Sequence, residues 1–284
     1  MVTGKVEIEG YQIAYIEAGS DSNPPVLLLH GITSHRGVWS RTIEMLQQDF
    51  HCIAIDHLGF GDSDKPRDAD YSIQKQAERA LKVADHFGFD RFIVIGHSMG
   101  GQISTYLTAS LAPQRVNKLV SVDGVVTGEL SNVVQKIKRL LMVVGQYIPS
   151  LFQLMRMLCR SKSFACWAFD HWFYKPEEMS FNAWETDRCY AMNPDIAYST
   201  TKAWKSLNTT DLTSLLKNIT ASTLVIFGNQ DGTVPIKQAH LFKKQLPAAQ
   251  LVLIDQCGHF PMYEKFDEYI NPLQEFLEYS TQRG

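Results

Sequence analysis

Long apolar runs are missing from this 284-residue chain. No stretch approaches the roughly 18 uninterrupted apolar residues of a bilayer-spanning helix, so no transmembrane helix is expected. The N-terminus, MVTGKVEIEG, lacks the apolar core of a signal peptide. Runs of like charge, low-complexity tracts and internal repeats are also absent. The formal net charge of −3 gives no reason to expect a nucleic-acid partner. Cysteine is scarce, with Cys52, Cys159, Cys166, Cys189 and Cys257 irregularly spaced and odd in number. Reduced thiols in a cytoplasmic protein are the simplest reading. Cys159 and Cys166 have no matching histidines, so no zinc site is expected, nor any other metal.

What is present is an ordinary globular composition, 45% apolar and 20% charged, in a chain long enough for one large domain or a domain with an insertion. KVEIEGYQIAYIEAG alternates apolar and polar residues around Gly10-Tyr11, which predicts a half-exposed hairpin. PPVLLLHG, HCIAID, RFIVIG, KLVSVDG, STLVIFG and AQLVLID read instead as short apolar runs, most of them continuous, as in strands covered on both faces. SIQKQAERALKVADHFG has helical periodicity and a C-cap at Gly88, and EYINPLQEFLEYS reads as a closing helix. Strands alternating with helices predict an α/β fold: a mostly parallel eight-stranded sheet with helices on both faces and antiparallel strands at one edge. Residues 127–213 break the alternation. They carry Met, Trp, Phe, Leu and Lys at helical spacing and no β-type run. A helical insertion above the sheet is expected there, after strand 6, leaving 1–126 and 214–284 as the core domain.

The chemistry is expected at Gly96-His97-Ser98-Met99-Gly100, a G-x-S-x-G segment between a buried strand and an amphipathic helix. Glycines flank a serine there because the turn leaves no room for a Cβ, and the hydroxyl is pushed out above the sheet. The helix that follows aims its first N–H groups at the same point. A serine hydroxyl needs a base, and His259, in the loop after the last strand between Gly258 and Pro261, is the best placed. His35, His51, His86, His171 and His240 read as surface or packing residues, and His30 as a structural hydrogen-bonder. The imidazole needs a carboxylate. Asp231 and Asp123 both follow strands. The order Ser98, Asp231, His259 favours Asp231, and Asp123 is the alternative acid. The backbone N–H groups of Ile32 and Met99 are expected to form the oxyanion hole.

These residues resemble the α/β-hydrolase superfamily. The likeness is carried by His30-Gly31, the DHLGFGDSDKP loop, GHSMGG, GNQDGTVP and GHFPMYEKF, and spans nearly the whole chain outside the insertion. The resemblance implies that 127–213 is a helical cap, or lid, over the active site. Relatives of this fold that act on haloalkanes or epoxides carry an aspartate nucleophile, so Ser98 implies acyl transfer. The expected substrate is a hydrophobic small-molecule ester, cleaved through an acyl-enzyme without a cofactor. A signal receptor with slow turnover, a cofactor-free haloperoxidase or perhydrolase, and a carbon–carbon bond hydrolase remain open on the same triad.

The insertion interleaves Lys136, Lys138, Arg139, Arg156, Arg160 and Lys162 with large apolar residues. Core packing, an apolar pocket lining and peripheral membrane contact through the cap are the three readings. Trp39, Trp167, Trp172 and Phe173 are candidate pocket walls. Either a monomer or a homodimer fits the sequence.

Overall fold

A computed structural model describes residues 1–132, 134–135, 147–180 and 184–278, apart from the side chains of Pro149, Phe152 and Arg156. The strands are β1 (Val2–Ile8), β2 (Tyr11–Ala18), β3 (Pro25–Leu29), β4 (His51–Ile55), β5 (Phe92–His97), β6 (Val116–Val122), β7 (Ser222–Gly228) and β8 (Gln250–Ile254). They form one sheet in the order β1-β2-β4-β3-β5-β6-β7-β8. β2 is antiparallel to β1 and β4, and the remaining neighbours run parallel. This is the expected mostly parallel sheet with an antiparallel edge.

The continuous apolar runs are explained by burial on both faces. In β3, Leu27 and Leu29 enter one core while Val26 and Leu28 enter the other. Each such leucine or valine contributes about 1.5–3 kcal/mol by leaving water. On the first face lie α2 (Ile73–His86) and α3 (Met99–Tyr106); on the second lie α1 (Ser40–Leu46) and the last helix of the chain. The Ser72 hydroxyl caps α2 by accepting from the Lys75 N–H, and Gly88 beyond its end takes φ +71. Trp39, a candidate pocket wall, is instead fully buried in the second core. None of the five cysteines forms a disulfide.

Between β6 and β7 the described residues form helices and no strand: α4 (Pro149–Leu158), α5 (Lys162–Ala168), α6 (Glu185–Ala191) and α7 (Ala197–Thr209). The two ends of this stretch are joined, since the Leu212 N–H donates to the Val126 carbonyl at 2.9 Å. Lys136, Lys138 and Arg139, and the side chain of Arg156, lie outside the described residues. After β7 come α8 (Lys237–Gln245), the single turn α9 (Pro261–Glu264) and α10 (Phe266–Glu278). Among the described residues, no helix is long and apolar enough to cross a membrane.

Candidate active site

Ser98 stands where β5 ends and α3 begins, with φ +55, a strained value for a residue with a Cβ. The flanking glycines are required by space. A Cβ at Gly96 would lie 2.2 Å from the Gly100 carbonyl oxygen, and one at Gly100 would lie 2.1 Å from that of Leu29. The turn is fixed from both sides: the Ser98 N–H donates to Val122, and its carbonyl accepts from Gln102 and Val125.

His259 follows β8. Its Nδ1 lies 2.7 Å from Asp231 Oδ2, and both side chains are almost wholly buried. Asp231 is held in turn, its Oδ1 accepting from the Thr233 N–H at 2.7 Å and the Val234 N–H at 3.0 Å. This leaves Nε2 of His259 as the nitrogen available for proton transfer. Ser98 and His259 line one cavity of about 100 Å³.

Asp123 follows β6 with φ +45 and is fully buried. Its Oδ1 accepts from the Gly228 N–H at 2.9 Å rather than from the imidazole. Burial, and then the nearby Asp231 charge, push its carboxyl well above the usual range and so favour its neutral form. Of the two acids, Asp231 is therefore the one paired with His259. Among the described residues, Asp123, Asp231 and His259 are also the one His/Cys/Asp/Glu group close enough to share a cation, with donor atoms within 4.8 Å of one another. A cation there would have to displace the His259–Asp231 hydrogen bond.

The loop after β3 lies against the serine: a Cβ at Gly31 would sit 3.0 Å from Ser98 Cβ. Ile32 lines the cavity, whereas Met99 buries its side chain in the core and offers the site only its main chain. The N–H of Met99, the first residue of α3, has no acceptor within its own helix. His30 is structural. Burial lowers its pKa to about 3, its Nε2 accepts from the His57 N–H, and its Nδ1–H therefore donates to the Gly31 carbonyl.

Four features of the site had little or no signal in sequence. Thr33 takes φ +60 beside the cavity, an outlier for a β-branched residue. His97 is fully buried and held neutral by that burial, and its Nε2–H donates to the His259 carbonyl at 2.7 Å. Glu264 binds the Gly258 N–H with one oxygen and the Tyr174 N–H with the other. Burial raises its pKa to about 7 against the opposing effect of those N–H groups. Asp187 of α6, buried, accepts from the Tyr263 hydroxyl at 2.6 Å and so ties the stretch between β6 and β7 to α9.

That stretch contributes most of the cavity wall, including Leu151, Met155, Phe169, Trp172 and Trp204. Of the four aromatic candidates, only Trp172 lines it. Phe173 is buried in the core and Trp167 is 61% exposed. His171, read from sequence as a surface or packing residue, also lines the cavity.

Comparison with known proteins agrees with this fold. The family model described as "alpha/beta hydrolase fold" matches residues 24–266. Lipase 1 of Psychrobacter immobilis is 27% identical over 271 residues, 94% of this chain and 81% of that protein. The 2-hydroxymuconate semialdehyde hydrolase of Pseudomonas putida is 29% identical over 261 residues, 89% of this chain and 86% of that protein. A crystal structure of a bacterial membrane phospholipase A superposes with a TM-score of 0.80 at 26% identity, covering 100% of this chain and 87% of that one.

Proposed function

The chain belongs to the α/β-hydrolase family, with lipases and esterases among its relatives, and on that premise we propose that it is a serine hydrolase of carboxylic esters. The observation that carries the reading is that Ser98 and His259 open onto one apolar cavity while Asp231 holds Nδ1 of His259 from behind.

Ser98 Oγ attacks the ester carbonyl as Nε2 of His259 takes its proton. Asp231 keeps the proton on Nδ1 and stabilises the imidazolium. The backbone N–H groups of Ile32 and Met99 receive the negative charge of the tetrahedral oxygen. Collapse returns the proton from His259 to the leaving alcohol and leaves an acyl group on Ser98. Water, deprotonated by His259, attacks that acyl group, and release of the acid restores the serine. Residues 127–213 act as a cap that closes the cavity to water, over a core of 1–126 and 214–284.

A cavity of about 100 Å³ fits a short acyl chain or a small alcohol better than a long chain. The similarity to a hydrolase of 2-hydroxymuconate semialdehyde supports a second reading, carbon–carbon bond hydrolysis. Among the described residues that line the cavity there is no Lys or Arg to receive an anionic substrate, which favours the neutral ester. A panel of p-nitrophenyl esters of rising chain length tests the proposal. Multiple turnover on short esters, lost in Ser98→Ala, is expected. No turnover on any ester, with cleavage of a vinylogous diketone acid, would establish the second reading instead.

A further inference from the structure

Among the described residues ten large apolar side chains stand exposed, and seven of them fall within 147–174. They include Tyr147, at 78% exposure, with Ile148, Leu154, Met157, Leu158 and Trp167. Scattered single apolar residues need no explanation; this concentration on one stretch does. α4 shows how it arises. Leu151 and Met155 of that helix, one turn apart, line the cavity. Leu154 and Leu158, also one turn apart, and Met157 lie on the adjoining face and are exposed. The helix is therefore apolar over a wider arc than the cavity uses.

The charge of the stretch is as uneven. In a chain of net charge −3, residues 130–169 contain no Asp or Glu. Within 147–169 the charged residues are Arg156, Arg160 and Lys162. Lys162 Nζ donates to the carbonyl of Glu177, a neutral partner that leaves its charge in place. The nearest acids of known pairing sit just outside: Glu129 faces Lys237, Asp170 faces His171, and Glu178 faces Lys175.

We propose that the outer surface of α4 and α5 docks on an anionic phospholipid bilayer, lying in the interface without spanning it. Aliphatic and thioether side chains enter the acyl boundary, Tyr147 and Trp167 sit at headgroup level, and Arg160 and Lys162 meet lipid phosphates. A second copy of this chain is a poorer occupant, because a two-fold contact would set α4 and α5, which carry basic residues and no acid, against the same two helices. Because α4 also lines the cavity, docking brings the cavity wall to the lipid. The inference does not depend on the chemistry at Ser98.

Co-sedimentation of the full chain with vesicles tests it, in low salt, using phosphatidylcholine alone and phosphatidylcholine with about one-third phosphatidylglycerol. The wild type is expected to sediment with the anionic vesicles and to be released by high salt. The double variant Leu154→Asp/Trp167→Asp should lower the bound fraction at least about tenfold. Arg160→Glu should lower binding to anionic vesicles and leave the small binding to neutral ones unchanged. Circular dichroism and turnover of a short water-soluble ester should match the wild type in each variant, because these side chains are exposed and none lines the cavity. Wild-type protein remaining in the supernatant with anionic vesicles, or variants that bind as well as wild type, would overturn the proposal. So would a wild-type dimer that the double variant converts to monomer, since that makes a second copy the occupant.

Discussion

The imidazole of His97 holds the backbone of His259, its Nε2–H donating to the His259 carbonyl at 2.7 Å. The residue beside the serine thus fixes the loop that carries the base. With His97→Ala the buried carbonyl loses its donor, which costs stability by about 1–3 kcal/mol. A loop displaced by about 1 Å should lower ester kcat roughly ten- to a hundredfold with little change in KM. His97→Gln, whose amide still donates, should recover most of the rate. Equal losses in both variants would show that the hydrogen bond is not what His97 supplies.

The two buried aspartates should respond differently to the same replacement. Asp231→Asn removes the acceptor that orients Nδ1 and should lower kcat by about 10³–10⁴. Burial favours the neutral form of Asp123, and its Oδ1 accepts from the Gly228 N–H. An amide can do the same, so Asp123→Asn should cost about tenfold or less. Steady-state kinetics of the two variants, with folding checked by circular dichroism, decide this. The reverse ranking would make Asp123 the acid of the triad.

Glu264 makes a pH prediction for stability. Its carboxyl rises from 4.5 to about 7 on folding. A raised carboxyl favours the folded state while the native form keeps a proton that the unfolded form has lost. Its contribution is therefore fully present below pH 4.5 and falls away as pH rises to about 7. Glu264→Gln cannot ionise, so the difference in Tm, wild type minus variant, should decrease between those values and level off above. A difference independent of pH, measured by thermal melts across that range, would contradict the assignment.

Space alone decides a fourth outcome. A methyl group at Gly100 would lie 2.1 Å from the Leu29 carbonyl oxygen, which belongs to a central strand and cannot move aside. Gly100→Ala should therefore destabilise the fold by more than about 3 kcal/mol or prevent it from forming. A soluble Gly100→Ala protein with wild-type Tm would show that β3 and α3 are not locked together.

All eight strands were legible in the sequence because burial leaves a local trace. A strand covered on both faces, such as VLLL of β3, must be apolar throughout, and the half-exposed pair β1 and β2 must alternate. Ser98 and His259 were legible for a related reason, since glycine and proline around them mark turns that other residues cannot make. Trp39 and Phe173 were misplaced as pocket walls because an aromatic side chain reads alike whether it faces a core or a cavity. The roles of His97 and Glu264 rest on contacts with main-chain atoms, His97 with an atom 162 residues away and Glu264 with one 90 residues away. Nothing local distinguishes them from other buried polar residues.

The central claim is that Ser98 is a nucleophile activated by His259. Mass spectrometry after treatment with a fluorophosphonate tests it most directly. One adduct per chain, on the peptide that contains Ser98, is expected, with labelling abolished in Ser98→Ala and slowed by orders of magnitude in His259→Ala. Labelling that persists in Ser98→Ala, or a wild-type chain that takes no label while folded, would contradict it.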